Sequence, residues 1–250
     1  MGYRLCVTGL TSLPRTALAP VAAPAARGGA RVLAAVGAGV VRAASLVRGE
    51  RVIHAKGTTV TGRMQVAGGA DLGVRLFDEP GSWDVLVRFS RSLGLPDRLP
   101  DVLGVGLRVL SAHGPDAHQD LLLDSSVPVP VLRRLPLPQY DLLGALYTSL
   151  TSYELGRRRC LLGLLPDAGA PGVRAVSELA GRGDGARLRL AAHVDGSWRE
   201  LAVVELGRPV PNGREVRFSP DVTGGGIRPA GWLQDLRRDA YRASHVGPDA

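Results

Sequence analysis

The sequence predicts an α+β domain: an antiparallel β-barrel core with flanking helices. Three observations predict it. Strand-like segments succeed one another quickly between Arg51 and Leu123, an Asp195-Gly196 pair sits between two alternating apolar runs, and helical periodicity is strongest near the two ends of the chain. No internal repeat and no linker separating two autonomous units is evident over the 250 residues. The expected organisation is a loose N-terminal arm at 1–28 and then a single domain at 29–250.

In order, Thr11 to Gly29 is rich in Pro and Ala and reads as the arm. From Ala30 to Val47, Val32, Leu33, Val36, Val40, Val41 and Leu46 recur at near-helical spacing, which predicts an amphipathic helix. Arg51 to Ala67, Asp84 to Ser90, Gly104 to Leu110 and Asp120 to Leu123 read as four strands. Gln139 to Arg158 carries Leu142, Leu143, Leu146, Tyr147, Leu150 and Leu155, a spacing that predicts a helix, and Gly172 to Ala180 predicts a shorter one. Ala186 to Val194 and Ser197 to Leu206 flank Asp195-Gly196, a pair that favours the positive φ angles of a tight hairpin turn. Glu215 to Phe218 reads as a further strand, Gly224-Gly225-Gly226 breaks it, and Trp232 to Ser244 closes the chain as a helix.

Composition narrows the function classes. An apolar content of 45% fits a globular core, and the longest uncharged stretches, such as Leu142 to Tyr153, fall short of the roughly 18–20 residues that cross a bilayer as a helix. Only Arg4 precedes the weak, proline-interrupted apolar segment at the start, a poor secretory signal, so a cytoplasmic location is expected. The chain has 31 basic and 23 acidic residues, a formal charge of +8, yet Lys56 is its only lysine. The arginines are scattered without interleaved aromatics, which argues against a specific nucleic-acid partner. Cys6 and Cys160 form no Cys-x-x-Cys pair, and His113 and His118, five apart in a Gly-Pro-Asp loop, read as solvated rather than ligating.

Two segments carry the chemistry: Arg51-Val52-Ile53-His54-Ala55-Lys56-Gly57, and Arg237-x-x-x-Tyr241-x-x-x-His245. The first resembles the distal-histidine strand of haem catalases, Arg-Val-Val-His-Ala-Lys-Gly. Val87-Arg88-Phe89-Ser90 matches that family's next strand, Asp101 to Val109 is similar to its Asp-Pro-Arg-Gly-Phe-Ala-Val-Lys-Phe, and Asp120-Leu121 falls where its Asp-Leu strand begins. The second segment resembles the proximal haem-ligand helix, Arg-x-x-x-Tyr-x-x-x-His. These short motifs, in the same order, implicate a small catalase-like haem protein.

The resemblance implies one haem b with Tyr241 as the axial ligand to iron. A phenol that titrates near pH 10 in water binds ferric iron as phenolate only with help from the metal and a nearby cation. Arg237 is one helical turn before Tyr241 and can supply that charge. Taken alone, Leu233, Leu236, Ala240 and Tyr241 read as the stripe of an amphipathic helix packed on a core, and only the upstream motifs reverse that reading. On the opposite face of the haem, His54 is the implied general base and acid toward peroxide, Ser90 the hydroxyl that fixes its tautomer, and Arg51 and Arg88 the partners of the anionic propionates.

The departures matter as much. Where the family carries a peroxide-orienting Asn, this chain reads Asp120-Leu-Leu-Leu-Asp124-Ser125-Ser126, so Ser125 is the substitute expected in the catalytic set. Leu103 replaces a family arginine, the basic run after the ligand tyrosine is absent, and the family's long wrapping segments and C-terminal helical domain have no counterpart. The expected function is therefore a haem-dependent peroxidase or hydroperoxidase, using peroxide or an organic hydroperoxide with a small reductant, and only weak in peroxide dismutation. Two alternatives stay open: a non-catalytic barrel holding haem or a hydrophobic ligand, and an arginine-rich interaction module. Homo-oligomerisation is open as well.

Overall fold

The structure, a computed structural model, describes residues 56–211, 213 and 216–230. Nine strands dominate them: β1 (Lys56–Val66), β2 (Gly81–Arg91), β3 (Leu103–Val109), β4 (Gln119–Ser126), β5 (Leu146–Leu155), β6 (Arg158–Pro166), β7 (Arg187–Val194), β8 (Ser197–Pro209) and β9 (Ile227–Ala230). All pairings are antiparallel, in the order β4-β3-β2-β1-β8-β7-β6-β5, and a β4–β5 pairing closes the ring into an eight-stranded barrel. Strand β9 adds to β5 outside the ring.

Alternation explains why these segments are strands. Along β2, Val85, Val87, Phe89 and Arg91 are buried while Leu86, Arg88 and Ser90 are only partly so. Along β3, Leu103, Val105, Leu107 and Val109 turn the same way. The apolar ones among them meet Val60, Met64, Leu121, Leu123, Leu162, Leu164, Leu188 and Leu190 in one core. Phe89 and Tyr147 pack edge to face at 6.4 Å between ring centroids.

The expected barrel is present, and the first four strands and the β7–β8 hairpin sit where the sequence places them. At the hairpin turn, Asp195 and Gly196 both take positive φ, 51° and 84°. Helices are few among the described residues: two of four residues, Arg75–Asp78 and Leu179–Arg182, the latter preceded by a 3-10 turn at Val176–Glu178. The flanking helices expected at 30–47 and 232–244 lie outside the described residues, as does the arm at 1–28.

One expected helix is a correction. Gln139 to Arg158 holds no helix but a turn and then β5. The Asp141 carboxylate accepts the N–H groups of Leu143 and Val173, folding 141–144 into a turn and burying Leu142 and Leu143 in the core. Residues 147–153 are rich in Thr, Ser and Tyr, side chains that lose rotamer freedom or compete for the backbone in a helix but suit a half-buried strand. The apolar spacing there reports burial on two sides of a bent strand. A register shift between Thr148 and Ser152, with Leu150 at φ 55°, splits β5 so that its first part pairs with β4 and its last part with β9. Gly156, at φ 59°, starts the two-residue turn into β6, and a Cβ there would lie 2.3 Å from the Leu72 carbonyl oxygen, so only glycine fits.

Two smaller expectations also change. The short helix expected at Gly172 to Ala180 begins later, at Val176. Among residues 216–218 no strand forms; the chain instead crosses the outside of the barrel, with Phe218 over Gly106.

Candidate functional site

Residues directly opposite one another on neighbouring strands share a face, so the register alone assembles the outer surface of β1 to β4. Gly57, Ser90, Gly104 and Asp124 form one row across four strands, and Thr59, Arg88, Gly106 and Leu122 form the next. The two motif residues Arg88 and Ser90 therefore stand side by side on the outside of the barrel, two residues apart on β2. Both are partly buried.

Glycine makes this face what it is. A Cβ at Gly57 would lie 2.9 Å from Arg88 Nη2 and from the Phe89 carbonyl oxygen, so the guanidinium rests directly on the Gly57 backbone. A Cβ at Gly104 would lie 2.8 Å from Ser90 Oγ. Both positions make room for a neighbouring side chain that any other residue would displace. Ser90 Oγ donates only a long bond, 3.4 Å, to the Gly104 carbonyl oxygen, so its hydroxyl is weakly held.

The far end of the same face is covered. Thr59 Oγ1 donates to the Gly213 carbonyl oxygen at 2.6 Å, Val210 N–H donates to the Thr59 carbonyl oxygen at 2.8 Å, and Phe218 lies over Gly106. Arg108, one row further, donates to both oxygens of Asp120 and to the Arg217 carbonyl oxygen, and its guanidinium stacks on the Phe218 ring at 5.2 Å. Asp120 in turn accepts Ser219 N–H. This clamp covers the row of Thr59 and Gly106 and stops short of the row of Gly57, Ser90 and Gly104.

Ser125 is not brought together with Ser90 and Arg88. It faces the barrel interior, fully buried, where its hydroxyl donates to the Leu137 carbonyl oxygen at 2.7 Å and accepts Leu103 N–H at 2.9 Å. The residue of β4 that shares the outer row is Asp124. Strand parity carries this signal: Leu121 and Leu123 are core residues, which turns Ser125 inward with them. Arg51, His54, Arg237 and Tyr241 lie outside the described residues.

His113 and His118, expected to be solvated, are instead partly buried and hydrogen-bonded within the protein. His118 Nδ1 accepts Ser111 N–H at 3.0 Å, and His113 Nε2 lies 3.0 Å from Gln119 Oε1. Among the described residues no group of three His, Cys, Asp or Glu side chains is placed to hold a metal ion. Cys160 is buried, and burial pushes its thiol up to about 11, which makes it a poor nucleophile. Among the described residues no helix is long and apolar enough to cross a membrane.

The room that Gly57 and Gly104 leave is taken by the Arg88 and Ser90 side chains themselves, so the two glycines set where a guanidinium and a hydroxyl sit on this face. That donor set, a cation beside a hydroxyl, is compatible with an anionic cofactor edge.

No protein-family profile matches the chain, and no curated protein matches it by sequence. Among solved structures it is similar to a fungal catalase, with a TM-score of 0.56 and 15% identity, over 94% of this chain and 67% of that one. Similarity at that identity shows the fold alone: the barrel is catalase-like.

Proposed function

We propose that the protein is a haem-binding peroxidase or hydroperoxidase that acts on peroxide or an organic hydroperoxide with a small reductant. The observation that carries the reading is the row of Gly57, Ser90 and Gly104 with Arg88 beside it, because it gathers three separate sequence motifs onto one face of a catalase-like barrel. Haem, when bound, would supply the redox chemistry of peroxide cleavage.

In this reading each residue of the chain has a stated task. Tyr241 holds the iron through its phenolate oxygen, and Arg237 supplies the positive charge that keeps that oxygen deprotonated. Arg51 and Arg88 hold the propionates by paired hydrogen bonds. His54, three residues ahead of Gly57, takes a proton from one peroxide oxygen and returns it to the other. Ser90, with its weakly engaged hydroxyl, accepts or donates the hydrogen bond that sets the imidazole tautomer. Ser125 has no task at this face and serves the barrel, so among the described residues of these two rows no side-chain amide stands to orient a second peroxide molecule. Oxidation of a separate donor is then favoured over dismutation.

The absorption spectrum of the purified protein tests the reading. A high-spin ferric haem spectrum in the parent, lost or shifted in Tyr241→Phe, supports it. A protein that stays colourless after haem is added, or a spectrum indifferent to Tyr241→Phe, overturns it.

A further inference from the structure

A cleft of about 440 Å³ opens on the opposite side of the barrel from Arg88 and Ser90, between β6, β7 and the segment 130–134 that leads from β4 to β5. Strand β6 is four strands from β2 in either direction around the ring, so the cleft and the glycine row do not communicate directly. Arg133, Arg134, Arg159 and His193 line it together with Pro130 and Cys160, and among the described residues no carboxylate does.

The charges in this cleft are poorly compensated. Arg159 reaches Glu154 at 3.3 Å, but Glu154 is shared with Arg228, and among the described residues neither Arg133 nor Arg134 has a carboxylate within ion-pair distance. Arg134 finds only long contacts, 3.4 Å each, to the Leu150 carbonyl oxygen and Ser152 Oγ. Arg133 stacks over the Trp198 ring at 5.9 Å, and its Nε is buried with no hydrogen-bond partner among the described residues. A buried guanidinium N–H left unmade is costly, and a basic cleft that keeps one is incomplete without an acceptor. Burial and the charge of Arg134 both push the Arg133 pKa down, and His193, edge-on to Trp198 at 5.2 Å, is held down first by burial and then by Arg133.

We propose that this cleft binds the phosphate group of a small phosphorylated metabolite. Three guanidiniums arriving from two different segments surround a multiply charged tetrahedral oxyanion better than a planar carboxylate, which one bidentate arginine satisfies. The volume exceeds what inorganic phosphate fills and falls within the range of small-molecule sites. Pro130 and Leu161, which line the cleft, give the organic part apolar neighbours. The proposal is independent of haem.

The test is a titration of the full chain with inorganic phosphate, with glycerol phosphate and with a short DNA duplex, each at constant ionic strength against chloride. Melting temperature and the NMR titration of His193 are monitored together. Saturable stabilisation by glycerol phosphate or inorganic phosphate, with the His193 midpoint moving up on binding, is the expected result; glycerol phosphate binding the tighter of the two identifies an organic phosphate. Arg133→Gln should weaken binding at least tenfold. If that variant folds poorly, the exposed pair Arg134→Gln and Arg159→Gln should do the same. Equal behaviour in phosphate and chloride, binding of DNA alone, or undiminished affinity in both sets of variants overturns the site.

Discussion

Arg108 and Asp120 meet fork to fork across the β3–β4 ladder, Nε and Nη2 each 2.7 Å from a carboxylate oxygen. They stand directly opposite in the register, and both belong to segments picked out by the sequence motifs. Asp120 is fully buried, and the hydrogen bond to its carboxylate raises the Arg108 pKa above the usual guanidinium range. Through Arg217, Phe218 and Ser219 this pair fastens the segment that crosses the outside of the barrel.

Asp120→Ala leaves a guanidinium without its partner under that segment and should destabilise the protein by about 3–5 kcal/mol, the scale for breaking a buried pair. Chemical denaturation reads the loss, and hydrogen exchange should quicken at Ser219 N–H, which loses its acceptor. Stability within error of the parent would show the clamp to be ornamental.

Gly57→Ala places a methyl group 2.9 Å from the Phe89 carbonyl oxygen and the Arg88 guanidinium. The backbone cannot yield as a side chain tip can, so a cost of about 1–3 kcal/mol is expected. If haem lies on this face, Gly57→Ala and Gly104→Ala should also loosen it, whereas Gly69→Ala, at an open position, should not affect haem retention.

Replacing Arg88 by Leu should weaken haem affinity by about 1.5–3 kcal/mol, the range of a charge-assisted hydrogen bond. A haem dissociation rate unchanged in both Arg88→Leu and Arg51→Leu removes the propionate assignment. Oxygen release from hydrogen peroxide, set against oxidation of an aromatic donor, should show the second dominating in the parent and falling in His54→Ala.

Alkaline stability depends on two buried acids. Burial pushes the Cys160 thiol from 9.0 to about 11, and burial, aided by Asp141, pushes the Tyr147 phenol well above 10, where its hydroxyl donates to the Leu142 carbonyl oxygen. Both pKa values are raised in the fold, so the unfolded chain binds fewer protons as pH climbs. The stabilisation is complete below about pH 9 and is lost as pH rises through the window to 11 and beyond. Denaturation midpoints between about pH 8 and 11 should fall, and Cys160→Ala should flatten the earlier part of the slope.

Leu150 holds φ 55° at the irregularity of β5, a conformation that costs a residue with a β-carbon about 1 kcal/mol or more. Leu150→Gly should therefore be neutral or slightly stabilising, where glycine at a regular strand position costs roughly 0.5–1 kcal/mol relative to alanine. A loss above about 2 kcal/mol would mean that the Leu150 side chain, not the bend, matters there.

Strands with strict alternation were legible in the sequence because one buried face imposes a period of two. The β7–β8 hairpin was legible because Asp195-Gly196 has few other uses. Strand β5 was not, since a bulge and two different neighbours shift its apolar residues out of phase into a spacing that mimics a helix. Strand β6 escaped with it, its Gly156-Arg157 turn hidden inside the supposed helix. In the candidate site, motif order pointed to Arg88, Ser90 and Ser125, and the register brings only the first two onto one face: position in a motif says nothing of parity, and parity decides which side of a barrel a side chain serves. The arginine cleft was invisible because its members come from three stretches that only β-sheet closure unites.

Thr59 and Gly213 are joined although 154 positions apart in the chain, and β1 pairs with β8 beside them. During synthesis at about 5–20 residues per second, the first strand waits on the order of ten seconds or longer for its far neighbour to leave the ribosome. Throughout that interval the β1–β4 meander has an open edge, apolar on one side. An edge left open for that long is a template for pairing with another chain, so aggregation during synthesis should rise with the concentration of nascent protein.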